Sequence, residues 1–440
     1  MLILKNITKE YTVGSTIKKS LKGINIVFRD HEFVSILGPS GSGKTTLLNI
    51  IGGLDDYTCG DLSVNRKTTK EFSDRDWDDY RSNMIGFVFQ NNGLFLHQTA
   101  LDNVELSLRL SGMSRSERME KSIKALNKVG LGDQLDKKPE QMSCGQMKRV
   151  AIARALVNDP EILLADDPTS TLDPETARHI MEILKELSEE KLIIMVTGNP
   201  ELAELYTTRR IELLDGNILI DSNPYHIVVE KPHKQKLPDK NKRKKATIDF
   251  YSALFIVTNH LTANKAETFR ILLSGFGCIT GIALIWAFPG GFLPIEHTSE
   301  SISFLQRIEA EFLYVWIVLT VIFSSLFFTA IAVSVLQRTG KIGILRSIGA
   351  SKKDIFRLLA AGSLIIGFIT GVFSVCAAFL LLAPAGPVSE TVPDQMSSRI
   401  FSFTGGMSLI LISMALSFIA GLIPTGIAVS KSSAAALRNE

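Results

Sequence analysis

The residues best able to do chemistry form a glycine-rich segment, Gly38 to Thr46, that reads Gly-Pro-Ser-Gly-Ser-Gly-Lys-Thr-Thr. This spacing fits the phosphate-binding loop pattern G-x-x-x-x-G-K-[ST]. The glycines let the backbone wrap closely around phosphate oxygens, and a helix N-terminus adds unpaired N–H groups. The pattern assigns the β- and γ-phosphates of a nucleotide to Lys44 and a Mg²⁺ ion to the Thr45 hydroxyl. The residues expected to bind the nucleotide are Gly38, Pro39, Ser40, Gly41, Ser42, Gly43, Lys44, Thr45 and Thr46.

The flanking residues supply the strand and the helix that such a loop needs. Phe33 to Leu37 is an apolar run typical of a buried strand, and Leu47 to Ile51 reads as the first turns of a helix. A chance glycine-rich turn would lack these flanks. The context therefore favours a phosphate site.

Two further groups are candidates for the same site. The apolar run Ile162 to Ala165 ends in Asp166 and Asp167, and a carboxylate at the end of a strand downstream of a phosphate loop is where a Mg²⁺-holding aspartate belongs. Tyr11 precedes the loop at a spacing where an aromatic ring could stack on adenine, although a surface or core tyrosine fits nearly as well.

The rest of the first half alternates predicted strands and helices, as in an α/β fold. Ser143 is expected to be the N-cap of a helix that continues to Leu156. Residues 55–81 are rich in Asp, Ser, Thr and Lys and read as an inserted, exposed region. Further strands are predicted at 2–4, 24–28, 85–90 and 192–196, and helical spacing at 100–130.

Composition limits the possible classes of protein. The 440 residues suggest two to four domains, and a net charge of +3 is too small to indicate a nucleic-acid partner. Residues 1–20 lack a continuous apolar core, so no signal peptide is expected. Disulfides and a zinc site are disfavoured because the four cysteines form no C-x-x-C pair.

The order of these motifs resembles the ATP-binding cassette (ABC) transporter family over residues 1 to about 222. The resemblance implies ATP and Mg²⁺ as cofactors, hydrolysis coupled to transport, and a dimer in which each subunit completes the other's site. It identifies Asp166 as the Walker B aspartate and Gln90 as the glutamine that couples the nucleotide to the membrane domain. Ser143, Gly145 and Gln146 match the LSGGQ signature. The implied metal ligands are Thr45, Gln90 and Asp166, and the implied catalytic residues are Asp167, Gln90 and Lys44.

Two positions depart from the family pattern. Asp167 stands where the family usually has a glutamate base, and Gly198 stands where it has a histidine. A general base contributes about 10²–10⁴ in rate, and a misplacement near 1 Å can cost about 10². Two outcomes are open. Hydrolysis is slow, or a small backbone shift at Asp167 and a polar group near Gly198 compensate for the two changes.

Four apolar stretches in the second half are each near the ~20 residues that span a bilayer. Most lysines and arginines between them fall on one side, which places both termini and the ATPase in the cytoplasm of a multi-pass cell-membrane protein. The predicted fold is an α/β P-loop NTPase (ABC ATPase) domain followed by an all-α four-helix transmembrane domain. The predicted spans are about 271–288, 313–335, 358–382 and 405–429.

The predicted domains are an ATPase domain at 1–222, a basic linker at 223–265 and a permease domain at 266–440. Ile248 to Asn264 could form an amphipathic helix on the membrane surface. The lysines and arginines of the linker could face lipid headgroups, and a solvated linker with no lipid role is about equally consistent with the sequence.

The segment Gly340 to Phe356 resembles the cytoplasmic loop of the FtsX-like permease domain found in MacB-type exporters. The order of an ATPase followed by four spans also resembles MacB. The departure is the loop Pro289 to Phe312, where MacB-type proteins place a sizeable extracytoplasmic domain. That domain's contacts are then missing or supplied by an extracytoplasmic partner.

The sequence thus predicts a half-transporter that pairs with an identical chain or with an intact ABC subunit. The expected activity is ATP-driven export or extraction of an amphipathic or peptide-like substrate. The alternative is a regulatory or signalling membrane subunit that binds ATP, hydrolyses it weakly and acts on an extracellular partner. The lipid bilayer is the other expected partner, and nucleic acid is not expected.

Overall fold

The computed structural model describes residues 1–109, 112–225, 257–258, 261, 264–287, 299–337, 339–382 and 403–430. Among these residues the chain divides into two units. The first unit contains residues 1–225 and 340–355, and the second contains 257–339 and 356–430.

A six-stranded sheet forms the centre of the first unit. Its strands are β3 (Glu32–Leu37), β6 (Ile85–Val88), β7 (Ile162–Asp166), β8 (Leu192–Val196), β9 (Arg209–Leu214) and β10 (Asn217–Asp221). In the order β10-β9-β3-β8-β7-β6, only β10 runs antiparallel to its neighbour. A parallel sheet brings the carboxyl ends of its strands to one edge, which places the phosphate loop after β3 beside the aspartates after β7.

Buried side chains cover both faces of this sheet. Along β3, Phe33 packs into one apolar cluster and Val34 into the other, because successive strand residues point to opposite faces. This two-sided burial explains why the parallel strands read as continuous apolar runs. The helices of this fold are α1 (Lys44–Ile51), α2 (Asp74–Asn83), α3 (Ala100–Arg109), α4 (Arg115–Lys128), α5 (Cys144–Leu156), α6 (Pro174–Leu187) and α7 (Pro200–Tyr206).

A second, antiparallel sheet has the order β2-β1-β4-β5. Its strands are β1 (Leu2–Val13), β2 (Thr16–Phe28), β4 (Cys59–Val64) and β5 (Lys67–Thr68).

The predicted exposure of residues 55–81 is wrong for the inner face of this region. Leu62, Val64 and Tyr80 are buried in the core, and the Tyr80 hydroxyl donates a hydrogen bond of 2.8 Å to the Ile51 carbonyl. The polar residues that suggested exposure form local hydrogen bonds, such as the capping box of Ser73 and Asp76 at the start of α2. Composition therefore identified the outer face and missed the packed one.

The remaining helices are α8 (Lys265–Ala287), α9 (Ser299–Gln337), α10 (Thr339–Ser347), α11 (Lys352–Leu382) and α12 (Phe403–Ser430). In the second unit, α8 and α9 pack closely where glycine faces an aromatic ring. A Cβ added to Gly277 would lie 2.7 Å from Phe323 Cε1. Small residues permit this approach between helices in a bilayer.

Three described helices contain a stretch long and apolar enough to cross a membrane: Ile317–Val335, Lys352–Ala377 and Gly406–Ala428. They correspond to the second, third and fourth predicted spans. The first predicted span lies within α8, which is not among these three, so the four-span count stays a prediction. Helix α9 has 39 residues and begins well inside the predicted loop at 289–312. The predicted linker and its helix at 248–264 lie largely outside the described residues.

Candidate nucleotide site

The phosphate loop follows β3 and leads directly into α1, as the sequence predicted. Gly43 is the N-cap of α1 and has a φ of 102°, in the left-handed region that favours glycine. A Cβ at this position would lie 2.6 Å from the Ser20 carbonyl oxygen, so the loop could not close against β2 with another residue. The N–H groups of the first turn of α1 are thereby presented to the loop interior.

Lys44 lies along the inside of this loop. Its Nζ donates hydrogen bonds of 2.8 Å to the carbonyl oxygens of both Gly38 and Pro39. Burial lowers the pKa of Lys44, while the carboxylates of Asp166 and Asp167 raise it. The ammonium is thus held at the mouth of an anion-binding loop and faces the acidic pair at the end of β7.

A cavity of about 560 Å³ opens beside the loop. This volume is within the range of about 300–1,000 Å³ for sites that hold small molecules. Most predicted site residues line it, although Pro39 and Ser42 of the loop do not. The lining residues are Tyr11, Lys18, Ser20, Gly38, Ser40, Gly41, Gly43, Lys44, Thr45, Thr46, Gln90, Asp166, Asp167, Val196 and Gly198.

Ser42 and Tyr11 occupy different positions relative to the cavity. The Ser42 hydroxyl is buried and has no hydrogen-bond partner among the described residues, so the loop leaves one polar group unsatisfied. The Tyr11 hydroxyl donates a hydrogen bond of 2.6 Å to Asp55 Oδ2, which fixes the ring at the cavity wall. Stacking of adenine on this ring stays a prediction.

Thr45 and Asp166 meet at the floor of the cavity. The Thr45 hydroxyl donates a hydrogen bond of 3.3 Å to Asp166 Oδ1. Burial raises the pKa of Asp166 to about 6, a shift that the Thr45 hydrogen bond opposes and the neighbouring Asp167 reinforces. A bound cation would stabilise the charged form of such a buried carboxylate, so Asp166 is suited to bind one.

These oxygen donors fit Mg²⁺, which prefers one or two carboxylates completed by phosphate oxygens and water. The described residues contain no cluster of three or more His, Cys, Asp or Glu side chains that would hold a metal alone. Thr45, Asp166 and Gln90 all line the cavity, so the site fits an ion that enters with a nucleotide.

Asp167 has a left-handed backbone, with a φ of 45°. Its N–H donates a hydrogen bond of 2.9 Å to the Val196 carbonyl, which ties the end of β7 to the end of β8. Burial raises the pKa of Asp167, and the ammonium groups of Lys148 and Lys44 lower it. Aspartate is one of the few non-glycine residues that adopt this conformation readily, which gives a local physical reason for a short side chain here.

Gly198 leaves open space at the cavity wall. A Cβ added to it would meet no atom within 4 Å. The position therefore has room for a larger side chain, and its backbone imposes no left-handed strain. The adjacent Thr197 hydroxyl accepts a hydrogen bond of 3.1 Å from the Asn199 N–H, so that polar group serves the start of α7.

The signature residues lie at the start of α5. Ser143 is the N-cap, as predicted, and forms a capping box with Gln146: the Gln146 N–H donates to Ser143 Oγ at 3.2 Å and the Ser143 N–H donates to Gln146 Oε1 at 3.0 Å. Ser143 and Cys144 are exposed, and neither Ser143, Gly145 nor Gln146 lines the cavity of its own chain. Gly145 is buried and Gln146 is partly exposed, so Ser143 and Cys144 are the signature residues that the chain exposes to another subunit.

Sequence reasoning missed Lys148, which is 2% exposed and lies on α5 beside the acidic pair. Its Nζ donates to the carbonyl oxygens of Phe89 at 3.2 Å and Gln90 at 2.9 Å. Burial lowers the pKa of Lys148 to about 8, although Asp167 and Asp166 raise it. The available signal was a cation just before the apolar run Val150 to Ala153 of α5, where burial requires polar partners.

Within the first unit, the segment 340–355 packs beside α2 and the loop that follows β6 and contains Gln90. Ile344 is buried at 3% exposure, and its Cδ1 would lie 3.3 Å from a Cβ on Gly93. Gly349 has a φ of 96°, and a Cβ there would lie 2.9 Å from Ser82 Cα. Lys352 pairs with Asp74 of α2 at 3.1 Å.

Two family profiles match the chain. The ABC transporter profile matches residues 21–170, and the FtsX-like permease C-terminal profile matches residues 312–436. The uncharacterized ABC transporter ATP-binding protein YvrO of Bacillus subtilis is 43% identical over 222 residues, which are 50% of this chain and 96% of YvrO. The chain belongs to the ABC transporter family. As an ABC ATPase domain its first unit binds ATP, and the apolar helices and the permease match make it a membrane protein.

Other relatives extend the match into the permease. The macrolide export ATP-binding/permease protein MacB of Bartonella quintana is 37% identical over 296 residues, which are 65% of this chain and 44% of MacB. The chain therefore spans less than half the length of that relative. Among solved structures, the dimeric ABC cassette MJ0796 is 42% identical, with a TM-score of 0.48 and coverage of 52% of this chain and all of that one. This ABC protein is a MacB-like fusion of an ATPase with an FtsX-like permease.

Proposed function

We propose that this ABC protein is an ATP-driven half-transporter that exports or extracts an amphipathic or peptide-like molecule. The observation that carries the proposal is the membership of residues 340–355 in the ATPase unit. This segment lies in sequence between two stretches long and apolar enough to cross a membrane, and it packs on α2 and on the loop that contains Gln90 and Gly93. A change in the nucleotide site would reach these side chains through direct contacts.

The roles of the site residues follow from their positions. Lys44 neutralises the β- and γ-phosphates, and Tyr11 packs against the base. Thr45, Asp166 and Gln90 would hold Mg²⁺, which would neutralise phosphate charge when bound. Asp167 is the base that orients and polarises the attacking water. These roles are supported by the shared cavity, by the Thr45–Asp166 hydrogen bond and by the suitability of the oxygen donors for Mg²⁺.

The working form is a dimer, as is general for ABC cassettes. The exposed start of α5 supports this arrangement, because Ser143 and Gln146 do not line the cavity of their own chain. In the dimer they complete the phosphate site of the other subunit. ATP then closes the two ATPase units, and hydrolysis releases them.

The proposed topology keeps residues 1–222 and both termini in the cytoplasm, with the linker at 223–265 on the same side. Four spans within residues 266–440 return the chain to that side. An extracytoplasmic partner would take the place of the domain that MacB-type proteins carry between their first two spans.

A second function is favoured by the two altered positions. Asp167 is short and held in a left-handed backbone, and Gly198 contributes no side chain to the cavity. Both features suit a subunit that binds ATP, turns it over slowly and moves an extracellular enzyme or sensor. The same dimer and the same coupling segment would serve this regulatory role.

Reconstitution of the full chain in liposomes separates the two functions. Phosphate release is measured with and without a panel of amphipathic peptides, with Lys44→Ala as the background. Stimulation of wild type by at least one peptide supports transport. Saturable ATP binding with unstimulated, slow release and a stable complex with an extracellular protein supports the regulatory role. Absence of ATP binding by the wild type would refute both.

A further inference from the structure

Two buried cations of α5 hold the segment that carries Gln90. Lys148 donates to the carbonyl oxygens of Phe89 and Gln90, at 3.2 and 2.9 Å. Arg154 donates to those of Asn92, at 2.9 Å, and Gly93. Four carbonyls between β6 and α3 thus accept hydrogen bonds from one helix. Since each cation is only 2% exposed, these bonds form away from competing water.

The two cations differ in what else they face. Lys148 lies close enough to Asp166 and Asp167 to interact electrostatically with both carboxylates. Arg154 instead donates to the carbonyls of Asn92 and Gly93, one turn of the loop beyond Gln90. Lys148 is therefore the cation that joins the Gln90 backbone to the acidic pair.

Helix α5 begins at the signature, so Lys148 stands between three parts of the proposed dimeric site. The N-terminal end of α5 carries the signature, which would contact the second subunit. The Lys148 ammonium donates to the Gln90 carbonyl and also faces the Asp167 carboxylate. A side chain in this position fixes the distance between the coupling glutamine and the base. It does so without lining the nucleotide cavity.

We propose that Lys148 is a positioning residue for ATP hydrolysis, which holds Gln90 and Asp167 in register with each other and with the signature helix. The inference rests on the proposed hydrolysis reaction. Loss of the ammonium frees the Gln90 carbonyl and leaves the acidic pair without one of its countercharges. Since a displacement near 1 Å costs about 10² in rate, turnover should fall by about ten- to a hundredfold while nucleotide affinity changes little.

The experiment compares Lys148→Met, Lys148→Arg and the control Arg149→Met in the full chain in liposomes. Arg149 is a matched control because it lies on the same helix and also donates to two carbonyls, those of Val129 and Gly130, each at 3.2 Å. Single-turnover phosphate release gives the rate, equilibrium binding gives the ATP affinity, and hydrogen exchange reports the amides of residues 89–93.

The expected result is a ten- to hundredfold slower release for Lys148→Met, with ATP affinity within about threefold of wild type and faster exchange at residues 89–93. Lys148→Arg should recover most of the rate, because a guanidinium can donate to both carbonyls. Arg149→Met should keep the wild-type rate.

Equal release by Lys148→Met and wild type overturns the inference, as does a loss of rate that Arg149→Met reproduces. Loss of ATP binding in Lys148→Met also overturns it, because the residue would then support the fold of the pocket and not the geometry of turnover. A wild type that releases no more phosphate than Lys44→Ala instead refutes the proposed hydrolysis itself.

Discussion

Restoring a histidine at residue 198 and a glutamate at residue 167 tests whether the altered site is slow. The structure accommodates the first change freely, because a Cβ at Gly198 meets nothing within 4 Å. The second change is less favourable, because the φ of 45° at Asp167 would be imposed on a glutamate. The two substitutions should therefore act by different amounts.

The expected gain in hydrolysis rate is the benefit of a better-placed base minus the cost of the backbone strain at residue 167. Asp167 is one methylene shorter than a glutamate, and a base misplaced by about 1 Å loses about 10² in rate, which corresponds to about 2.7 kcal/mol. A left-handed backbone costs roughly 1–2 kcal/mol for residues other than Gly, Asn and Asp, and it offsets part of that gain. The remainder, about 1 kcal/mol, is close to fivefold, and the imidazole from Gly198→His adds to it. We expect the double variant to hydrolyse ATP at least about tenfold faster than wild type.

The assay is steady-state phosphate release from the purified homodimer in lipid. Gly198→Asn in the same background is the control, because its amide fills the space without a titratable ring and should not reproduce the gain. A wild-type rate of about 1–10² s⁻¹ with no increase in the double variant would refute the reasoning. It would show that Asp167 and its neighbours already compensate locally. In a heterodimer with an intact partner only one of the two sites would be slow, since this chain lends its signature to the partner's site.

Three further outcomes are expected. Lys44→Ala should weaken ATP binding by about 10- to 150-fold, because one hydrogen bond to a charged group is lost. Titration calorimetry would measure the affinity, with the exposed Lys124→Ala as the control. Unchanged affinity in Lys44→Ala would contradict the loop assignment. Ile344→Asp places a charge in a buried contact, so ATP binding should persist while a fluorophore on α9 stops responding to ATP. Ile344→Val should respond normally, and a response in both variants contradicts the coupling role. The side-chain and backbone hydrogen bonds of Ser73 lower the pKa of Asp76, so this carboxylate stabilises the protein above pH ~4 and the benefit is lost as pH falls through its folded pKa. The difference in melting temperature between wild type and Asp76→Ala should therefore shrink as the pH falls through the folded pKa of Asp76, and a constant difference would contradict the assignment.

Local patterns in the sequence determined the chemistry of the nucleotide site. The phosphate loop, the helix cap at Ser143 and the aspartates after Ala165 each depend on contiguous residues, since the backbone geometry of a tight loop or a cap is specified by the residues that form it. The apolar runs likewise identified β3, β7 and β8, because strands buried on both faces leave no polar positions.

Only the tertiary structure decided which distant residues meet. The packing of β4 against β1, the hydrogen bonds from Lys148 to the Gln90 segment and the placement of residues 340–355 in the ATPase unit all join parts far apart in the chain. Such contacts form when burial and hydrogen bonding outweigh the entropy of closing long loops, and no local pattern encodes that balance. The left-handed backbone of Asp167 belongs to the same class, because its hydrogen bond to Val196 exists only when β7 and β8 pair.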